Sequence, residues 1–133
     1  MRYLLDTNVI AEILRGNHEV ILRLKLHEPQ DCAISSVVAA ELYYGALRSK
    51  QVERNLEAID SLPFRVLSFS YDDAVHAAQI REQLASRGTP IGPYDCLIAA
   101  QARARNLVLV THNLREFSRV DGLLLEDWQK EFS

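Results

Sequence analysis

The apolar residues of this chain gather in short, nearly continuous runs instead of alternating with polar ones. YLL at 3–5, CAI at 32–34, RVL at 65–67 and LVLV at 107–110 stand out, with a weaker fifth, LLL, at 123–125. Continuity of this kind predicts strands covered on both faces, as in a parallel sheet. The segments between them carry helical spacing. One helix is expected over 7–15, ending at Gly16, and a second over 18–27 before Pro29. Ser35-Ser36 offers an N-cap for a helix reaching about residue 49, and another is expected over 52–61. Asp72 or Asp73 opens a long helix that closes at Arg87-Gly88, and Pro93 suits the first turn of a last one running to about residue 105. Strands alternating with helices predict right-handed crossovers and an open α/β sheet flanked by helices. No repeat, low-complexity tract or linker interrupts the pattern, so residues 1–133 are expected to form one domain.

Composition narrows the class. With 48% hydrophobic and 25% charged residues the chain is a globular protein, not a disordered one. No apolar stretch approaches the roughly 20 residues that span a bilayer, so no membrane role is expected. The opening MRYLLDTNVI is interrupted by Asp6 and lacks a small-residue cleavage site, which argues against a signal peptide and for the cytoplasm. Cys32 and Cys96 lie among apolar neighbours and are expected as reduced, buried thiols; without a CxxC or Cys/His cluster, no structural zinc site is expected. The net charge of −3 lacks the basic signature common in nucleic-acid binders, so any such role depends on local placement of cations.

Three carboxylates do not suit their surroundings. In an open parallel sheet, ligands bind outside the carboxyl ends of the strands, and Asp6 sits there, directly after the first run. It can equally be the N-cap of the helix starting at Thr7, and one side chain can serve both ends. Glu41 has Val37, Val38, Tyr44 and Gly45 as its helical neighbours and no Lys or Arg three or four residues away. It is either an exposed helix former or a carboxylate inside an apolar stripe, which needs a partner. Asp95 shares its helical face with Ile98, Ala99 and Ala102. The helix dipole gives an N-terminal anion only about 0.3–1 kcal/mol, too little to offset burial of an ionised group. Three such acids converging at one sheet edge repel one another unless a cation lies among them. A hard divalent ion is the natural answer, and it suits hydrolysis of a phosphodiester. After the last strong strand, Thr111 is placed to hydrogen-bond a ligating carboxylate, and Asn113 or Glu116 to approach a metal through water. His112 has the chemistry of a proton shuttle, but a lone histidine there is no strong candidate.

LLDTNVI, SSVVAAELYYGA and GTPIGPYDCLIAAQARARNLVLVTHNLREFSRVDGLLLEDW, in this order and spacing, resemble a PIN-domain ribonuclease, and more narrowly the VapC toxins of type II toxin–antitoxin pairs. The resemblance covers essentially the whole chain. It implies a three-layer α/β/α sandwich with a central parallel sheet and a Mg²⁺ or Mn²⁺ site surrounded by Asp6, Glu41 and Asp95. It further implies cleavage of tRNA or ribosomal RNA by a metal-activated water. The partner so implied is a VapB-type antitoxin, whose C-terminal segment covers the site and whose N-terminal domain binds operator DNA. A homodimer is implied as well. Many PIN domains carry a fourth acid two residues after the Thr that follows the late strand. Here that position is Asn113, with Glu116 three residues on, so the fourth ligand stays open.

Other readings fit less well. A receiver domain wants an acidic pair after its first strand and a Lys after a late one, and an aspartyl phosphatase wants a second Asp where Asn8 stands. A dinucleotide-binding module needs glycines in the first strand-to-helix turn, which has none. A non-catalytic PIN-like binding module is the remaining alternative, although such a module has no need of all three acids. Arg15, Arg48, Lys50, Arg54, Arg87, Arg103, Arg105, Arg115 and Arg119 are expected to gather on the active-site side, with Arg48 and Arg115 as contacts for RNA or antitoxin. The helices over 18–27, with Ile21, Leu22, Leu24 and Leu26, and over 52–61 are the expected partner-binding elements.

Overall fold

The computed structural model describes residues 1–129, so 130–133 of the expected single domain lie outside the described residues. Its five strands are β1 (Tyr3–Leu5), β2 (Cys32–Ser35), β3 (Arg65–Leu67), β4 (Val108–Val110) and β5 (Leu124–Glu126). They form one sheet in the order β3-β2-β1-β4-β5, and every pair is parallel. Tyr3 of β1 pairs with Cys32 on one side and Val108 on the other. Parallel neighbours require crossovers, and the helices supply them: α1 (Thr7–Leu14), α2 (His18–Leu24), α3 (Ser36–Leu47), α4 (Val52–Asp60), α5 (Tyr71–Ser86), α6 (Pro93–Ala104) and α7 (Leu114–Phe117). The chain steps from β1 to β2 to β3 in one direction, then returns across the sheet to β4 and β5. Right-handed crossovers therefore put α1 to α4 on one face and α5 to α7 on the other, which makes the three-layer α/β/α sandwich.

The expectation of doubly covered strands holds for β1, β2 and β4 and fails at the edges. Val66 of β3 is 50% exposed and Leu124 of β5 is 57% exposed. These strands have a neighbour on one side only, and their short apolar runs do not distinguish an edge from a centre. Other boundaries shift for local reasons. The second helix ends at Leu24, because His27 turns away to stack on Trp128 (ring centroids 5.2 Å apart, planes 11° apart) beside Tyr3. The long helix begins after Ser70, not at Asp72 or Asp73. Ser70 Oγ accepts from the Asp73 amide while the Asp73 carboxylate accepts from the Ser70 amide, a capping box. α7 has no counterpart in the sequence pattern, since four residues are too few for a helical period to show.

The partner-helix expectation is half corrected. α4 turns Ile59 into the core and exposes no large hydrophobic residue. Exposed apolar side chains lie on α1 (Leu14), on and just after α2 (Leu22, Leu26), on α3 (Tyr43, Tyr44, Leu47), and also on α5 (Tyr71, Val75) and α6 (Tyr94). Cys32 and Cys96 are both buried and free; burial pushes the Cys32 thiol up to about 11. Among the described residues no helix is long and apolar enough to cross a membrane.

Candidate active site

The chain leaves β1 toward one face of the sheet and β4 toward the other, so a crevice opens at the carboxyl ends of these adjacent strands. Asp6, the residue after β1, is 5% exposed. Its Oδ1 accepts from the Val9 amide at 3.1 Å, capping α1, and its Oδ2 accepts from Thr111 Oγ1 at 2.6 Å. The cap and the strand-end carboxylate are thus one side chain. Burial raises its pKa, and the hydrogen bonds from Thr111, Val9 and Asn8 together with the nearby His112 partly offset that rise. Thr111 stands directly after β4, is fully buried, and also accepts from the Asn113 amide at 3.0 Å. A single hydroxyl therefore ties the end of β4 to the carboxylate at the end of β1.

Glu41 is half-buried on α3, where Thr7 Oγ1 donates to its Oε1 at 2.8 Å. Sequence reading passes over Thr7. It lies 34 residues from its partner, and its only visible signal is its place beside Asp6.

Asp95 occupies the first turn of α6, behind Gly92 and Pro93. Gly92 provides no side-chain cap, and a Cβ there would meet Asp95 Oδ2 at 3.5 Å, an ordinary van der Waals contact. A helix N-terminus favours an anion, yet the Asp95 carboxyl is pushed up to about 6 by burial first, then by the charges of Asp6, Glu116 and Glu41. Repulsion and burial outweigh the dipole here. All three of the other carboxylates therefore lie within electrostatic reach of Asp95.

Of the two residues open for the fourth acidic position, Glu116 is the one that acts on Asp95. Asn113 instead donates its side-chain amide to Glu116 Oε2 at 3.3 Å. Among the described residues none of Asp6, Glu41, Asp95 and Glu116 is ion-paired with Lys or Arg. Nor does any group of three His, Cys, Asp or Glu side chains stand ready-made to hold an ion directly. An all-oxygen, all-acid donor set of this openness fits a small hard cation, which keeps several waters and takes only one or two carboxylates itself.

The basic residues do not gather as expected. Arg87 pairs with Asp121 at 2.6 Å, Arg105 with Asp73 at 2.9 Å, and Arg103 donates to His76 Nδ1 at 3.0 Å. Acceptors in and around α5 recruit these three side chains into packing. Arg48 lies two turns past Glu41 of α3, with its guanidinium 5.6 Å over the Tyr44 ring; Arg115 is exposed and next to Glu116 in the chain. A separate apolar groove between α5 and α6, lined by Ala77, Leu84, Ile91, Cys96 and Leu97, includes none of the four acids.

Comparison with known proteins gives a consistent picture. The family model described as PIN domain matches residues 3–123. The tRNA(fMet)-specific endonuclease VapC of Salmonella typhimurium is 44% identical over 131 residues, 96% of this chain and 98% of that protein. Its namesake from Shigella flexneri is 45% identical over the same span, and ribonuclease VapC2 of Haemophilus influenzae is 38% identical. Among solved structures, the DNA-bound VapBC of Salmonella typhimurium matches with a TM-score of 0.90 at 42% identity, covering 96% of this chain and 98% of that one. VapBC2 of Rickettsia felis, bound to a promoter DNA fragment, matches with a TM-score of 0.90 at 35% identity, covering 96% of this chain and 99% of that one.

Proposed function

This chain belongs to the PIN-domain family and, within it, to the VapC ribonucleases; on that premise we propose that it is a metal-dependent endoribonuclease, the toxin of a toxin–antitoxin pair, acting on initiator tRNA. The observation that carries the metal dependence is the set of four carboxylates at the β1–β4 crevice, none of which is ion-paired with Lys or Arg among the described residues. Asp6, Asp95, Glu41 and Glu116 would hold Mg²⁺ or Mn²⁺, directly or through water. Bound there, the ion supplies the charge that activates water and neutralises phosphoryl oxygens. The chain's own residues set the geometry. Thr111 holds Asp6, Thr7 holds Glu41, and Asn113 holds Glu116. Arg48 and Arg115, both exposed, would meet RNA phosphates, which would let an acidic protein bind a polyanion locally.

The choice of substrate rests on relatives at 44% and 45% identity that are named for tRNA(fMet). The partner is a VapB-type antitoxin, since the matching structures are VapBC complexes on DNA. Contact with operator DNA runs through that antitoxin. The exposed Leu14, Leu22, Tyr43, Tyr44 and Leu47 offer it apolar ground. From the resemblance to the VapC toxins, we further infer that the active form is a homodimer in the cytoplasm.

The decisive experiment incubates the purified, antitoxin-free chain with initiator and elongator tRNA in Mg²⁺, in Mn²⁺ and in EDTA. Cleavage of the initiator alone, lost in EDTA, is expected. Cleavage that survives EDTA rules out the metal dependence, and an intact initiator tRNA with metal bound rules out cleavage of it and leaves a binding module. Thr111→Val tests the arrangement from outside the ligand set. Removing the hydroxyl that orients Asp6 should weaken Mn²⁺ binding by roughly 10–100-fold in calorimetry. Unchanged affinity would mean that Asp6 needs no such support.

A further inference from the structure

His112 follows Thr111 at the end of β4, one residue past the hydroxyl that holds Asp6. Its side chain is 62% exposed, whereas the Asp127 carboxylate that meets its Nδ1 at 3.0 Å is only 3% exposed. Asp127 directly follows β5, the strand paired with β4, and its other oxygen accepts from the Gln129 amide at 2.9 Å. A carboxylate held inside the fold and committed to one ring nitrogen fixes the imidazole's orientation and tautomer. That leaves Nε2 as the nitrogen on the open side. An ordinary surface ion pair has both partners in water. This one has its acid buried and its base exposed, one residue from the hydroxyl that holds Asp6. The ring is close enough to lower the pKa of both Asp6 and Glu12. The charged groups facing it are Asp127 from beyond β5, Asp6 from the end of β1 and Glu12 from α1; Glu12 itself is engaged by Arg15 and Asn17.

We propose that His112, oriented by Asp127, is the proton donor to the leaving oxygen when the phosphodiester is cut. The inference rests on the ribonuclease reading and adds a residue to it. In the step, the oxygen of water bonds to phosphorus and the bond from phosphorus to the leaving nucleoside oxygen breaks. That oxygen takes the proton from His112 Nε2, and the attacking water's proton passes to solvent. The neutral imidazole then regains a proton from solvent, so one water is consumed overall. A positioned general acid of this kind contributes typically about 10²–10⁴-fold. Asp127 does not touch the substrate and is a positioning residue.

The test uses a short RNA spanning the bond that the wild type cuts in initiator tRNA, made with either oxygen or sulfur at the leaving position. A thiolate departs without a proton. His112→Gln should therefore slow single-turnover cleavage of the oxygen substrate by about 10²-fold or more, and of the sulfur substrate by less than about threefold. Asp127→Asn should follow the same pattern at roughly a tenth of the loss. Mn²⁺ affinity of His112→Gln should match the wild type, which separates loss of a proton donor from loss of the metal site, whereas its melting temperature should fall because the buried Asp127 carboxylate loses its ring partner. Equal slowing on both substrates, or none on either, overturns the proposal while the ribonuclease reading stands. A wild type that cuts neither substrate overturns both together.

Discussion

Asp95→Asn should abolish RNA cleavage and yet melt at a higher temperature than the wild type in metal-free buffer at pH 8. The carboxyl sits in the first turn of α6 with its pKa pushed up to about 6 by burial, then by Asp6, Glu116 and Glu41. A folded-state pKa above the ordinary 3.8 means that the fold binds this proton more tightly than the unfolded chain does. The metal-free protein therefore gains stability as pH falls from about 7 through 6 toward 4, and loses it as pH rises through the same window. At pH 8 the penalty of the charge is fully present, and asparagine removes it while keeping the shape. Each pKa unit is worth about 1.4 kcal/mol. Discounted for partial exposure, the gain should be on the order of 1 kcal/mol, a few degrees in melting temperature for a domain of this size. The cost in cleavage should be at least about 10²–10³-fold. Metal reverses the ranking: a ligand at about 100 times its Kd adds roughly 2.7 kcal/mol to a protein that binds it. Thermal melts of both proteins at pH 5 and pH 8, with and without Mg²⁺, check every part. A variant less stable than the wild type in metal-free buffer at pH 8 would mean that the four acids do not oppose one another.

The second large effect lies away from the crevice. Asp73→Ala should destabilise the fold by roughly 2–4 kcal/mol, through the loss of a capping-box carboxylate and of a charge-assisted hydrogen bond to the partly exposed Arg105. Its carboxylate is 1% exposed. It accepts from the Ser70 amide at 2.8 Å, from Arg105 Nη2 at 2.9 Å and from Gln101 Nε2 at 3.3 Å, so it joins the start of α5 to the end of α6. Alanine would strip Arg105 and the buried Gln101 amide of their carboxylate acceptor, leaving them to the carbonyls of Leu67 and Ser68, and would break the capping box. Burial raises the Asp73 pKa, but the Arg105 and Ser70 hydrogen bonds outweigh that and leave it below the ordinary value. Its stabilising contribution is therefore present above about pH 4 and is lost as pH falls through the lowered pKa. Urea titrations at pH 7 and pH 3 should show a wide gap between wild type and Asp73→Ala at pH 7 that narrows at pH 3. Asp73→Asn, which keeps the shape and part of the hydrogen bonding, should fall between them. A loss below about 1 kcal/mol for alanine would mean that water replaces the carboxylate at little cost.

What could be read before folding, and what could not, divides along the range of the interactions. Asp6 stands out because one position after a strand end is a local fact, and Asp95 because its helical neighbours are Ile98, Ala99 and Ala102. The capping box at Ser70 and Asp73 is equally local and could have been read from its S-x-x-D spacing. Thr7 with Glu41 and Asp127 with His112 are pairs joined across different elements. Nothing in a one-dimensional pattern sets them apart from other polar residues. Arg87, Arg103 and Arg105 look like a basic rim for the same reason, and only the packing of α5 against α6 shows that their acceptors lie there.

By itself the sequence determined the α/β alternation, the buried centre of the sheet and three residues of the acidic cluster, because periodicity, capping and strand ends are properties of neighbours in the chain. The tertiary structure alone decided which strands lie at the edges. It also decided that Glu116 lies within electrostatic reach of Asp95, and that His112 has a buried acid behind it. Those outcomes depend on strand order and on contacts between residues far apart in the chain, and a burial penalty or a repulsion between carboxylates exists only once the fold has brought the groups together.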